Sequence, residues 1–389
     1  MRLLQVTGTL DPAYGGPCVV LNELTRSVTD LGHAVDVVTL DPPSAPWLTD
    51  VCGNPRAFGP ARGKYGYSPS LRLWLEQHAP GYDAVIVHGI WQYQSRAVRA
   101  ACRKTGVPYF LFVHGALDPW FEQRYPVKHA KKAAYWRLFE HRNLRDARAV
   151  LYTCEEERLL ARTSFRPYRA REAIVTVGIE APTGEPTQQR EAFLAAYPHL
   201  RDKRILLFLG RLHPKKGADL LITAFSTVCQ RDESLHLVVA GPDESGTAAQ
   251  LQAQAKSVGV DDRVTWTGML SGDAKWGAYR AADAFVLTSH SENFGIVIAE
   301  ALACGLPVLI SDKVNIWREI DSGGAGLVEP DTVAGATSLL DRWLSLPDGE
   351  RAGMRERAKT CFLDNFEASA AALVFVTAIA GAIGKTEAA

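Results

Sequence analysis

The sequence lacks the features that mark secreted, membrane-spanning or nucleic-acid-binding chains. Its seven cysteines (Cys18, Cys52, Cys102, Cys154, Cys229, Cys304, Cys361) are scattered, odd in number and never paired as Cys-x-x-Cys. That argues against a disulfide framework or a zinc site, and for free thiols in a reducing compartment. Neither sign of charge is in excess. Lys plus Arg and Asp plus Glu both number 43, so the whole-chain charge does not call for nucleic acid as a partner. Long apolar runs are missing too. The opening Met1-Arg-Leu-Leu-Gln-Val-Thr-Gly is too short in apolar residues for a signal peptide and reads as a first strand. One uncharged run, Ala368 to Gly384, is 17 residues long but rich in Ala and Gly, and reads better as a buried terminal helix than as a membrane span. A cytoplasmic location is the expectation. There is no low-complexity tract and no short-period repeat.

Several ligand motifs are absent as well. No G-x-x-x-x-G-K-[ST] loop is present, and Asp41 follows the second expected strand without a G-x-G-x-x-G fingerprint before it. There is no D-x-D and no cluster of His or carboxylates at ligand spacing, so neither a metal nor a resident cofactor is expected.

What the chain does have is length and alternation. At 389 residues, 47% hydrophobic and 22% charged, it has room for two globular domains with separate cores. Short β-branched runs alternate with amphipathic stretches throughout, the pattern of parallel sheets with crossover helices. Strands are predicted at Leu3–Thr7, Val35–Leu40, Ala84–His88, Tyr109–His114, Ala149–Thr153 and Ile174–Val177. The second half offers Ile205–Leu209, Leu237–Ala240, Val264–Thr267, Ala284–Thr288 and Val308–Ser311. Glu180 to Pro186, with two Pro and one Gly, is the best linker. Residues 1–182 are therefore read as one α/β domain and 183–365 as another. Residues 366–389 are left as a terminal helical segment.

The most informative stretch runs from Ser289 to Ser311. It places Glu292 in a loop after an apolar strand and Glu300 inside the following helix, which Phe294-Gly295 opens and Cys304-Gly305 ends. At about 1.5 Å per helical residue, the two carboxylates stand roughly 12 Å apart or less. That span suits one carboxylate on a sugar and another on a ribose, with a diphosphate at the helix N-terminus between them. After strand Ile205–Leu209 comes Gly210-Arg211-Leu-His-Pro-Lys215-Lys216-Gly217, with two cations placed to hold a diphosphate at the end of a parallel strand. Lys215 reads as a surface residue. In the first half, Gly15-Gly16 follows the first strand and removes side chains where phosphates approach the backbone. His114-Gly115 ends the fourth strand run, and His88-Gly89 ends the one before it.

These segments resemble the retaining, nucleotide-sugar-dependent glycosyltransferases of the family 4 type, which share the GT-B fold. The resemblance rests on E-x7-E with its Asn-Phe-Gly and Ala-Cys-Gly-Leu-Pro-Val surroundings, on Gly-Arg-Leu…Lys-Gly, on the Gly-Gly loop and on His114, and it covers almost the whole chain. It implies two Rossmann-like domains facing a central cleft, with the last helix returning to the first domain. It further implies Arg211 and Lys216 as a pyrophosphate clamp, His114 and Glu292 at the donor sugar, and Glu300 at the ribose hydroxyls. Gly15, Gly16, Gly241, Asn293, Phe294, Gly295 and Ile296 would line the donor site, and Asp118 and Trp120 would be acceptor candidates. The expected donor is a nucleoside diphosphate sugar, and the expected acceptor a saccharide or lipid-linked saccharide. A sugar-nucleotide epimerase, a phosphorylase and a catalytically silent nucleotide-sugar binder are the rival readings.

One further segment stands apart. Lys128 to Arg145 sets Trp136, Leu138 and Phe139 among several cations, as a membrane-surface helix does and as a solvated helix packed on the first domain also does.

Overall fold

The computed structural model describes residues 1–243 and 246–385. The chain divides into two compact units, Met1–Glu180 together with the residues from Glu367 on, and Ala181–Phe366.

In the first unit seven strands form one parallel sheet. They are β1 (Arg2–Thr7), β2 (Ala34–Thr39), β3 (Arg56–Ala57), β4 (Ala84–His88), β5 (Tyr109–Phe112), β6 (Ala149–Tyr152) and β7 (Glu172–Ile174), in the order β3-β2-β1-β4-β5-β6-β7. The central strands are covered on both faces. Every residue of β4 and β5 is buried, which is why those strands read as continuous rather than alternating apolar runs. The second unit has β8 (Arg204–Leu209), β9 (Leu235–Ala240), β10 (Val264–Gly268), β11 (Ala284–Leu287), β12 (Val308–Ser311) and β13 (Gly326–Glu329), also all parallel, in the order β10-β9-β8-β11-β12-β13. Both orders reverse direction at one place, between β1 and β4 and between β8 and β11. At such a switch point the loops leaving the two strands diverge and open a crevice at the carboxyl edge of the sheet.

Eleven strands lie at or near their expected places. Two were not expected, β3 and β13, and both are short sheet edges. The strand predicted at Ile174–Val177 lies earlier, at Glu172–Ile174. Its first residue, Glu172, is drawn into an ion cluster with Arg158 and Arg162, and that pairing gives a charged residue a place in a strand.

The final helix, Ala368–Ile383, belongs to the first unit. Its N-terminus is capped by the Glu367 side chain, which accepts from the Ala370 amide at 2.9 Å, and the Ala368 amide donates to Ile179 O at 3.1 Å. It packs against the helix Gly16–Asp30. Phe375, Val376 and Ile379 are fully buried there, a contribution of about 1.5–3 kcal/mol each. No described helix is long and apolar enough to cross a membrane. All seven cysteines are free thiols.

Candidate active site

In the second unit the basic loop and the first carboxylate leave neighbouring strands at the switch point. The loop after β8 turns through Gly217, at φ +63°, where a Cβ would collide with the Thr288 carbonyl oxygen. Thr288 in turn donates through its hydroxyl to Gly217 O at 2.7 Å, and the His290 amide donates to Lys215 O at 2.9 Å. The two loops are therefore stitched together, backbone against backbone. Only glycine permits that approach.

This stitching sets Lys216 against Glu292 in a direct ion pair. Burial alone would push the Glu292 carboxyl up. The charges of Lys216, Lys215 and Arg211 outweigh burial and hold it below the ordinary carboxylate range. Lys215 is thus half-buried and electrically part of the site, rather than the plain surface residue expected from sequence. A second tie comes from the loop after β12. The Glu292 amide donates to Lys313 O and Glu292 O accepts from the Asn315 amide, both at 2.9 Å.

Beyond Glu292 the chain passes Asn293 and the buried Phe294, then reaches Gly295 at φ +76°, the N-cap of the helix Ile296–Ala303. The Ile298 amide of that first turn donates to Gly295 O at 2.8 Å, and the dipole of the helix favours negative charge at this end. Glu300 lies on the same helix but is not loose. Its carboxylate receives the Lys275 ammonium at 2.8 Å and the Tyr279 hydroxyl at 2.9 Å. Lys275 and Tyr279 stand one turn apart on the helix Gly272–Ala281. Nothing in the local sequence announced them. Gly241 follows β9 at φ +141°, where a Cβ would run into the Gly210 carbonyl oxygen, so packing as well as any ligand requires glycine there.

In the first unit, Gly15 sits at φ +79° with no atom near its missing Cβ. It caps the helix that begins at Gly16. His114 follows β5 in a tight turn. His114 and Gly115 have φ of +50° and +71°, and the Ala116 amide returns to Val113 O at 3.1 Å. Two positive φ values in succession describe a type I′ turn, in which a non-glycine first residue is strained. The turn is held from below by the buried Glu157, which accepts from the Gly115 amide at 2.6 Å and from the Thr153 amide at 2.7 Å.

His114 is partly exposed and stacks on Phe112 with ring centroids 4.7 Å apart. Its Nε2 lies 2.9 Å from Nδ1 of His88. His88 is buried beneath it, and its Nε2 meets Gln5 Oε1 at 2.8 Å. Burial pushes the His114 imidazole down to about 4 and His88 well below the usual histidine range, so both rings are neutral at pH 7. Asp118 has a local task, accepting from the Trp120 amide at 2.8 Å where a short helix begins. Trp120 packs edge-on to Tyr125, with ring centroids 6.1 Å apart.

Among the described residues, no three His, Cys, Asp or Glu side chains gather in a way that could hold a metal ion. In the second unit Arg211, Lys215 and Lys216 surround Glu292 ahead of the helix Ile296–Ala303. In the first unit a neutral His114 lies above the hydrogen-bonded His88 and Gln5.

Comparison with known proteins agrees with this division. Residues 189–360 match the family model described as glycosyl transferases group 1, and residues 15–178 match the glycosyl transferase 4-like domain. The D-inositol 3-phosphate glycosyltransferase of Frankia alni is 29% identical over 86% of this chain and 86% of its own length. The mannosylfructose-phosphate synthase of Agrobacterium fabrum is 40% identical over a shorter match, 31% of this chain and 28% of that protein. Among solved structures, HepE of Anabaena in complex with UDP and glucose superimposes with a TM-score of 0.77 at 18% identity, over 98% of this chain and all of that one. That likeness shows the fold to be GT-B.

Proposed function

Because the chain belongs to the family 4 type of GT-B glycosyltransferases, we propose that it moves a hexose-type sugar from a nucleoside diphosphate donor to a hydroxyl of a saccharide or lipid-linked saccharide, with retention of configuration. The observation that carries this reading is the packing of Lys216, Lys215 and Arg211 around Glu292, directly ahead of the helix Ile296–Ala303.

Arg211 and Lys216 bind the donor diphosphate, with the first-turn amides of the helix completing the cradle. Glu292 accepts hydrogen bonds from sugar hydroxyls, and Glu300 from the two ribose hydroxyls. Gly15 and Gly16 let the donor phosphates approach the backbone, and His114 contacts the donor sugar. Asp118 and Trp120 face the acceptor. In the reaction the bond from the anomeric carbon to the diphosphate breaks while the acceptor oxygen attacks from the same face. The leaving phosphate oxygen takes the acceptor's proton. The clamp and the helix dipole stabilise the charge that grows on the diphosphate, and the scheme needs no metal. We place this chemistry in the cytoplasm, in keeping with the free thiols. The relatives' names carry phosphorylated small molecules, a mannosylfructose phosphate and an inositol phosphate, so a phosphorylated polyol belongs in any acceptor screen beside lipid-linked saccharides.

The test is a thermal-shift panel of UDP, GDP, ADP and CMP with their sugars, on wild type and Glu300→Ala. Saturation at about 100 times Kd adds about 2.7 kcal/mol of stability. One diphosphate standing out, and losing its shift in the variant, supports the donor site. A panel with no shift at all rejects it.

A further inference from the structure

The hydrogen bonds beneath His114 decide which of its nitrogens carries the proton. Thr25, buried in the helix Gly16–Asp30, gives its hydroxyl hydrogen to Leu21 O at 2.7 Å. Its oxygen therefore receives, and the Gln5 side-chain N–H donates to it at 2.8 Å. That contact orients the Gln5 amide so that Oε1 faces His88. An amide oxygen only accepts, so Nε2 of His88, 2.8 Å away, bears a hydrogen. His88 is 3% exposed and neutral, which leaves a lone pair on its Nδ1. The partner of that lone pair is Nε2 of His114 at 2.9 Å, and so the His114 hydrogen is on Nε2. A neutral His114 then has its own lone pair on Nδ1, which makes no hydrogen bond among the described residues.

The line Thr25–Gln5–His88–His114 crosses from the helix that follows the Gly15-Gly16 loop, through β1 and β4, to the turn after β5. Each link has a single direction, and the stacked rings of Phe112, His88 and His114 restrict rotation. We infer that Gln5 and His88 are positioning residues that hold His114 as its Nε2–H tautomer, so that Nδ1 offers a lone pair to a hydroxyl of the donor sugar. The use of that lone pair rests on the proposed function; the tautomer itself does not. With the other tautomer, or with imidazolium, the same position would present an N–H and could not receive the hydroxyl hydrogen.

The experiment is nitrogen NMR of the full-length protein labelled with 15N-histidine, at neutral pH and without substrate. The His114 signals are assigned by their loss in His114→Gln. The expected spectrum has His114 with a protonated Nε2 and a bare Nδ1. A wild-type spectrum with the proton on Nδ1, or on both nitrogens, overturns the inference, and this reading needs no variant of the line to fold. Gln5→Glu then tests the direction of the relay. A carboxylate at this position favours a doubly protonated His88, which forces Nε2 of His114 to accept and moves its hydrogen to Nδ1. We expect the His114 signals to exchange character and turnover to fall by roughly tenfold to a hundredfold, with the far-UV circular dichroism unchanged. A folded Gln5→Glu protein with unaltered His114 signals and full turnover overturns the positioning role. If wild type shows the expected tautomer yet transfers no sugar from any donor, the relay stands and the proposed function fails.

Discussion

Lys216 and Glu292, 76 residues apart in sequence, are joined as an ion pair at the mouth of the second sheet. The cation assigned to the donor diphosphate is thus already neutralised by the carboxylate assigned to the donor sugar. On the proposed assignment, a bound diphosphate would compete with Glu292 for the same ammonium and leave the carboxylate to sugar hydroxyls.

Glu292→Gln should therefore separate binding from turnover. With its internal partner gone, Lys216 is free for phosphate, and the Kd for the nucleoside diphosphate should fall by several-fold. Turnover should drop by about a hundredfold or more as the sugar contact is lost. Calorimetric titration with the diphosphate and a steady-state transfer assay measure the two effects. Weaker binding together with unchanged turnover would reverse the assignment.

Tyr279→Phe removes one of the two side chains that fix the Glu300 carboxylate. Tyr279 is fully buried, so about 1–2 kcal/mol of stability should go with the hydrogen bond. Its consequence for function is a several-fold rise in donor KM, because a less ordered Glu300 meets the ribose less often in the right pose. Donor and acceptor KM are to be compared, and an acceptor KM that rises instead would speak against the ribose role.

Glycines 15 and 217 offer a contrast. Both have positive φ, but a Cβ at 15 meets open space whereas one at 217 meets the Thr288 carbonyl oxygen. Gly15→Ala should cost about 1 kcal/mol. Gly217→Ala should cost about 2 kcal/mol or more, because two backbones must part. Urea denaturation of the two variants gives the comparison, and equal losses would contradict it.

Between about pH 4 and 7 two sets of buried groups should act on stability in opposite directions. Burial lowers His114 and His236 to about 4. Between pH 6.5 and 4 the unfolded chain therefore binds protons that the folded chain refuses, and stability declines as pH falls through that interval. Glu140 behaves the other way. Burial raises it to about 7 against the opposing hydrogen bonds from Asn143 and Ser95. The unfolded chain releases this proton near 4.5 while the folded chain keeps it, so its stabilising effect declines as pH rises from 4.5 to 7. Glu140→Gln should stabilise the protein at pH 8 by about 1–3 kcal/mol and flatten that part of the profile. Melting temperatures from pH 4 to 8 decide this, and an unchanged profile in the variant would exclude Glu140 as its origin.

The basic segment divides its apolar residues between two environments. Trp136 is fully buried, with its indole N–H donating to Pro167 O at 2.8 Å, while Leu138 is 58% exposed and Val127, just ahead of the segment, 72%. If the acceptor is carried by a lipid, this outward face should touch the membrane, and Leu138→Asp should reduce sedimentation with vesicles of anionic phospholipid by several-fold. Equal sedimentation of variant and wild type would leave the face as solvated surface only.

The local sequence showed the strands that are buried on both faces and the motifs whose members lie close together along the chain. Gly210 to Gly217 and Ser289 to Gly305 each sit on a single strand–loop–helix step, so their spacing translates directly into geometry. The supporting residues were not legible in this way. Lys275 and Tyr279 reach Glu300 from a separate helix, and Glu157 reaches Gly115 from 42 residues away. Gln5 meets His88 only because β1 and β4 are neighbours in the sheet. Such partnerships depend on strand order, which no local pattern encodes. The edges β3 and β13 escaped notice for another reason: a strand of two or four residues, buried on few sides, needs little apolar sequence.

The placement of the helix Ala368–Ile383 has a bearing on the order in which the chain matures as it is made. The first unit is written in two pieces, separated by the whole of Ala181–Phe366. During synthesis its sheet emerges first, yet the apolar side of the helix Gly16–Asp30 must wait uncovered until some 190 further residues have left the ribosome. The second unit, continuous in sequence, is complete before the first one is. A chain cut short after Phe366 would therefore carry a complete second unit attached to an incomplete first one.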